Sequence, residues 1–457
     1  MATTLRVNLD RPYQKIDGFG VCQGFGRARI LGGSEGLPAE RTREVLDLLF
    51  GAGGAAVSLL RLCIGASESD GPGTMKSIAR SAPAGPDGPL EYAWDGDDCG
   101  QVWLAREAMR YGVRRIFAHP LSALPFMMDT APGASSGVVR GMPGTSPDLG
   151  DWRRSFADYL LQYVRFYAQS GVRITDLGFA NEPDLLMHYP DHRPRYPLLQ
   201  LEPKQVVDFV KVLGPIAERS GLPVRLVCCS AKSWGQQAVY TAEVEADETA
   251  ARHVGVHAGN GYLTPARRPL PTSRPTWVAG WDPDVDNHAA DWVDAWDSND
   301  RSDGIVLAED VSDALTTASV NGYFYLFGAS ARRGTRALIW LDGDRYHVSK
   351  RFWAFAAYSR FIQPGAYRVA AEADQAADGL KAVAFRRPDG SAVVNLLNLR
   401  PGVMEVAVDL DRAPAAPAVH RWLTDNDHAL TPMPIDPSAD RVVLPAKSLT
   451  TLVFDWR

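Results

Sequence analysis

From residue 16 to residue 361 the chain repeats one period: an apolar run that reads as a buried strand, a polar turn, then an amphipathic run that reads as a helix. Adjacent parallel strands need a crossover of a dozen or more residues between them, usually a helix, so this alternation restricts the chain to an α/β fold with a parallel sheet. Apolar runs at 16–21, 57–64, 114–118, 174–180, 224–229, 253–257, 276–279 and 320–327 supply eight strands. Helical runs at 101–111, 152–169, 203–219, 236–246, 304–318 and 350–361, and one opened by Pro38 and stopped at Gly51, fall between nearly all of them. Eight strand–helix units are what closes a (β/α)8 TIM barrel, and the expected barrel covers residues 16–365.

From Tyr367 the texture changes. Runs at 383–387, 392–399, 403–410, 420–423, 441–444 and 450–455 alternate or stay apolar, and turn pairs such as Asp389-Gly390 and Pro401-Gly402 separate them without a helical stretch. Residues 366–457 are therefore expected to form an appended all-β sandwich. Residues 5–9 alternate as an edge strand, and segment 1–15 is expected to join that β-domain. The glycines at 51–56 lack the Lys-Ser/Thr of a phosphate loop and read as a helix stop and turn.

Composition excludes several partners. A net charge of −6 gives no electrostatic footprint for nucleic acid or an anionic membrane. No apolar run approaches the roughly 18 residues of a membrane span. The first residues carry no apolar leader core, so the chain is expected in the cytoplasm if that start is native and outside the cell if a leader was removed. The five cysteines, Cys22, Cys63, Cys99, Cys228 and Cys229, contain no Cys-x-x-Cys pair and are read as reduced core residues. His253 and His257 have no third ligand at metal spacing, and neither metal nor cofactor is expected. Oligomeric state leaves no mark in the sequence.

One stretch carries chemistry. Residues 174–184, I-T-D-L-G-F-A-N-E-P-D, run as a buried strand into Asn181-Glu182-Pro183, and proline cannot continue the ladder. The strand thus delivers a carboxylate to its own C-terminal end. In a parallel barrel that end is the catalytic face, and a carboxylate beside an amide there is a candidate acid/base with a hydroxyl-binding neighbour; a solvated loop glutamate is the plainer alternative.

Taken with that stretch, G-F-G-V-C-Q-G-F-G-R-A at 18–28, S-L-L-R-L-C-I-G at 58–65, Y-A-W-D-G-D-D-C-G-Q at 92–101, P-G-T-S-P-D-L-G-D-W-R at 143–153, V-N-G-Y-F-Y at 320–325 and the run at 348–366 make the chain resemble glycoside hydrolase family 30 over nearly its whole length. These are retaining β-glycosidases with a barrel and a side β-domain, and the resemblance implies a β-linked glycan as partner, glucuronoxylan-like or β-1,6-galactan-like. It implies Glu182 as general acid/base, Asn181 as holder of the sugar 2-hydroxyl, Arg61 as the barrel arginine near the nucleophile, and Tyr262 as the tyrosine that bonds the nucleophile. Arg27 aligns with an arginine of xylan-active members, where a planar fork suits a uronate, although a structural salt bridge fits equally well. Trp94 and Tyr92 are candidates for stacking on sugar or for bracing their loop, and Trp281 and Tyr325 stand where the family lines its cleft.

The same resemblance exposes a gap. A retaining enzyme needs a second carboxylate, roughly 5–5.5 Å from the first, at the end of the seventh strand. Here that strand reads P-T-W-V-A-G-W-D-P-D, and the nucleophile position is Gly280. An engineered knockout, natural loss of catalysis, and a base relocated to Asp282, with space for water beside a bare Gly280, are the three readings. Glu309 and Glu68 are weaker candidates for such a base. The family's Trp, His and Trp at three other mouth positions are replaced by Leu121, Asn260 and Leu326, which favours natural divergence over a single introduced change. A silent carbohydrate-binding protein is the alternative to a hydrolase.

Overall fold

Eight parallel strands close into a barrel: Gly18–Cys22, Leu59–Ile64, Arg115–Pro120, Asp176–Gly178, Arg225–Ala231, Val254–Asn260, Thr276–Trp281 and Gly322–Ser330. We call these the first to eighth barrel strands. Closure is made where Trp277 and Val278 pair with Gly322 and Tyr323 on one side, and where Gly322 pairs with Gly18 on the other. This computed structural model describes residues 3–32, 37–71, 73–131, 134–192, 197–283, 291–374, 378–411, 417–435 and 440–456.

The strands read as unbroken apolar runs because both of their faces are covered. All six residues of Leu59–Ile64 are buried, half facing the barrel axis and half facing helices. Leu59, Phe117, Val227, Val256, Ala258, Trp277, Ala279 and Phe324 meet inside the barrel as one apolar plug. The next residues pointing inward on the way to the C-terminal ends are polar, among them Arg61, His119 and Asn260, all buried. A polar layer resting on an apolar plug is how this barrel makes a site.

The helices follow from local signals. Pro203–Arg219 starts where expected because Glu202 and Gln205 cap it reciprocally, the Gln205 Oε1 accepting from the Glu202 N–H at 2.8 Å, with Pro203 in the first turn. Its buried stripe of Val206, Phe209, Val210, Leu213 and Ala217 has helical spacing, and each large side chain there contributes about 1.5–3 kcal/mol on burial. The next helix begins at Trp234, two residues before the expected start, because Ser233 caps it by accepting from Gln236 N–H at 3.0 Å. The fourth strand pairs only over Asp176–Gly178, shorter than the expected 174–180, since the chain leaves the ladder to turn through Glu182, whose φ is 48°. A hairpin absent from the sequence reading, Ala337–Asp342 with Arg345–Val348, extends the eighth strand; its signal is the Asp342-Gly343 turn, with Gly343 at φ 63°.

Among the described residues, nine further strands form the β-domain sheet. Thr3–Lys15 lies inside it, antiparallel to Tyr367–Ala373 and parallel to Met404–Asp411, so the expected edge strand is an interior one. Residues 1, 2 and 457 lie outside the described residues. One face of this sheet closes its own core around Leu5, Val7, Val394, Leu396 and Leu452. From the other face Val383, Phe385, Val393 and Leu449 join the core of the barrel's helical shell, and Asn395 Nδ2 donates to the Ala357 carbonyl at 2.9 Å. Among the described residues no helix is long and apolar enough to cross a membrane.

Candidate functional site

Arg61, on the second strand, organises the polar layer. It is 2% exposed, and its guanidinium donates through Nη2 to Asn181 Oδ1 at 2.6 Å and through Nη1 to the Ala279 carbonyl at 2.5 Å and Asn260 Oδ1 at 3.4 Å. Its Nε lies 3.2 Å from His119 Nδ1. One fork thus ties together the ends of the fourth, sixth and seventh strands. Because Asn181 Oδ1 is committed to Arg61, its Nδ2 is the atom left for a ligand, and it can only donate. Burial and the neighbouring Arg61 charge hold His119 well below its ordinary pKa, so that it stays neutral.

Glu182 is positioned through its backbone. Its N–H donates at 2.8 Å to the Ser230 carbonyl, which also accepts from Asn260 Nδ2 at 3.0 Å, so the end of the fifth strand holds both groups. A residue that sequence reasoning missed completes this corner. Lys232, buried at the end of the same strand, places Nζ 3.6 Å from Glu182 Oε2 and stands 5.5 and 5.4 Å from the Tyr189 and Tyr262 ring centres. The available signal was an ammonium residue directly after the apolar run 226–231.

Gly280 does not leave the void that the sequence suggested. A Cβ built there would fall inside contact distance of Tyr262 Oη and would lie 3.0 Å from both Tyr262 Cζ and Asn260 Oδ1. The phenol of Tyr262 therefore occupies the start of the path a carboxylate would take. Burial raises the Tyr262 pKa well above its ordinary value, and the Glu182 and Asp282 charges add to this while Arg61 opposes it. Neutral phenol is the form present near pH 7. Asp282 is placed differently from the open base envisaged beside Gly280: its side chain is wholly covered, and Arg336 Nε donates to it at 3.1 Å. Burial pushes its pKa up against the opposing Arg336 charge.

Residues 365–452 match the description "Glycosyl hydrolase family 30 beta sandwich domain". The catalytic domain of xylanase C from Talaromyces cellulolyticus, a family-30 protein, superposes with a TM-score of 0.87 at 28% identity, over 99% of this chain and 100% of that one. The match to the lysosomal acid glucosylceramidase of Mus musculus is 24% identical over 65% of this chain and 59% of that protein. These matches support glycoside hydrolase family 30. A family-30 endoxylanase of Clostridium papyrosolvens, at 18% identity and a TM-score of 0.71, adds likeness of fold alone. The chain spans less than two thirds of the length of the curated relatives it matches.

Several expected family-30 contacts change place. Trp94 faces away from the mouth: it stacks on Phe166 at 5.2 Å and 8° and donates from Nε1 to Ser170 Oγ at 3.2 Å, bracing its loop on the outside of helix Arg153–Gln169. Tyr325 is 0% exposed and its hydroxyl is spent on the Thr335 carbonyl at 2.6 Å, so it packs where a cleft residue was expected. Trp281 is 6% exposed and packs its ring 5.8 Å from that of Tyr325. Arg61 positions Asn181 from beneath and does not present its own fork to the cleft. Arg27 makes no salt bridge among the described residues; its guanidinium lies 3.4 Å over the Phe327 ring and burial lowers its pKa to about 10. His253 and His257 are bound to Glu218 and Glu245, each at 2.8 Å. Glu309 pairs with Lys381 at 3.1 Å, against the β-domain and away from the mouth. Cys228 and Cys229 are joined as a disulfide between neighbours in sequence, which overturns the expectation of five reduced thiols.

Proposed function

We propose that the chain is a family-30-type glycoside hydrolase acting on a β-linked poly- or oligosaccharide of xylan-like or β-1,6-galactan-like backbone. The observation that carries this reading is the Arg61 fork, which presents Asn181 Nδ2 as a donor beside Glu182 at the end of the fourth strand. In this reading Asn181 donates to the sugar 2-hydroxyl, and Glu182 gives its proton to the glycosidic oxygen as the bond breaks, so that the leaving group departs neutral. Lys232 and the Ser230 carbonyl fix where that carboxylate stands. The likeness to a xylanase supports the xylan-like backbone. With Gly280 lacking a carboxylate, water attacks the anomeric carbon and loses its proton to bulk water while solvent reprotonates Glu182, and slow turnover is expected. The test is hydrolysis of aryl β-xyloside, β-galactoside and β-glucoside and of xylo-oligosaccharides by the chain and by Glu182→Gln. Oligosaccharide turnover that is unchanged in Glu182→Gln removes the acid/base role.

A second reading, a carbohydrate-binding protein without turnover, is favoured by one observation: Tyr262 Oη fills the space at Gly280 from which a nucleophile would act. Calorimetric binding of xylo-oligosaccharide with no product under any condition selects it. The filled space also differs from the bare hole that excision of a carboxylate from an otherwise ordinary site would leave.

A further inference from the structure

Beneath the mouth lies a sulfur-rich cluster that the proposed chemistry does not use. Cys22, the last residue of the first strand, and Cys63, on the second strand, place their Sγ atoms 4.0 Å apart, both buried. Cys99 and Met75 belong to the same cluster, and half-buried Phe25 and Tyr262 cover it on the side of the mouth. We propose that Cys22 and Cys63 form a dithiol that peroxide oxidises to a disulfide, a modification that reaches Asn181 through His119 and Arg61.

The pair is built for that reaction. The hydrogen bond from the Cys63 thiol and the Arg61 and Arg27 charges lower the Cys22 thiol against its burial, while burial raises Cys63. Cys22 is therefore the thiolate that attacks. One peroxide oxygen is transferred to Cys22 sulfur, the O–O bond breaks, and the other oxygen leaves as water with a proton. Cys63 sulfur then attacks the sulfenic sulfur, the S–O bond breaks, and hydroxide leaves as water with the Cys63 proton. Two thiols and one peroxide give one disulfide and two waters.

Cys63 cannot follow its sulfur by moving its backbone. Gln101 holds its N–H through Oε1 and its carbonyl through Nε2, each at 2.9 Å. The sulfur has to swing instead, and it leaves His119 Nε2, now 3.8 Å away. His119 Nδ1 sits between the Leu62 carbonyl at 2.9 Å and Arg61 Nε at 3.2 Å, so a turn of its ring bears on Arg61, the donor that orients Asn181. Oxidation therefore loosens the asparagine from two residues away. This second half rests on the proposed sugar-facing role of Asn181, whereas the disulfide itself does not.

The test counts thiols in the denatured, unreduced chain before and after hydrogen peroxide. The free cysteines Cys22, Cys63 and Cys99 give three, and the expected count after treatment is one, with a crosslinked peptide pair containing Cys22 and Cys63 in the mass spectrum. In Cys99→Ser the count falls from two to zero. A count that stays at three, or a crosslink that includes Cys99, overturns the proposal. Oligosaccharide binding by calorimetry is then compared in the two redox states: a several-fold weakening that is absent in Cys22→Ser is expected. Unchanged affinity with the crosslink present would refute the coupling to Asn181 and leave the disulfide standing.

Discussion

Replacing Gly280 tests the phenol that fills its side-chain position. Gly280 is not among the glycines with positive φ, so its backbone accepts an alanine, which on its own would add about 0.4–1 kcal/mol of stability by restricting the unfolded chain. Against this, the new methyl meets Tyr262 Oη inside contact distance and Tyr262 Cζ and Asn260 Oδ1 at 3.0 Å, an overpacking that costs about 1–3 kcal/mol in a dense interior. The expected net for Gly280→Ala is a loss on the order of 1 kcal/mol. Tyr262→Phe removes only the hydroxyl contact and leaves Cζ close, so it relieves part of the strain; Tyr262→Ala removes both Tyr262 contacts and leaves only that with Asn260 Oδ1 at 3.0 Å. A double-mutant cycle of Gly280→Ala with Tyr262→Ala, followed by urea unfolding, should give a coupling of about 1 kcal/mol or more, with the double variant more stable than the sum of the singles. Additivity within roughly 0.3–0.5 kcal/mol would refute the argument, because sites that do not touch behave that way.

The same geometry decides what a carboxylate introduced at Gly280 would meet. Gly280→Glu alone has to force its carboxylate past the phenol and is expected to leave aryl β-xyloside hydrolysis unimproved, whereas Gly280→Glu with Tyr262→Ala gains activity. Azide, which attacks in place of a missing carboxylate, should likewise act only once Tyr262→Ala has opened the space. Strong rescue of the parent chain by azide would mean that the phenol does not stand where the structure places it.

Further outcomes follow from the polar layer and its surroundings. Arg61→Met strands Asn181 Oδ1 and the Ala279 carbonyl, each costing about 1–3 kcal/mol, and should weaken both urea stability and oligosaccharide affinity. Trp94→Ala should cost about 2–3 kcal/mol, less than a fully buried tryptophan, while leaving hydrolysis unchanged; a change in affinity would return Trp94 to the cleft. Asp98 accepts from Tyr163 and Tyr167 hydroxyls at 2.5 and 2.6 Å, and burial raises its pKa from 3.8 to about 6. The folded chain therefore holds a proton that the unfolded chain has released, and stability falls as pH rises through that window, by on the order of 3 kcal/mol. Urea midpoints between pH 4 and pH 7, compared with Asp98→Asn, should show this slope in the parent and lose most of it in the variant.

The barrel was legible because strands covered on both faces must be continuously apolar, and helix Pro203–Arg219 because Glu202, Pro203 and Gln205 mark its start by local chemistry alone. Glu182 was legible for a similar reason: a carboxylate between a strand and a proline is at that strand's end wherever the strand goes. What the sequence could not carry depends on neighbours across the barrel. The aromatic residues Trp94, Trp281 and Tyr325 carry no mark of which layer they occupy, and only packing assigns the first to the helical shell and the others to the wall beneath the mouth. Lys232 gained its meaning from a carboxylate on the adjacent strand, fifty residues earlier in the chain. The reading of Gly280 as a vacancy failed on a general ground. Interiors pack close to crystal density, so space left by a missing side chain is taken by whatever can swing into it, and a tyrosine two residues past the sixth strand is long enough to do so. Any side chain introduced at Gly280 therefore has to contend with Tyr262, and changing what that position does requires changing both residues.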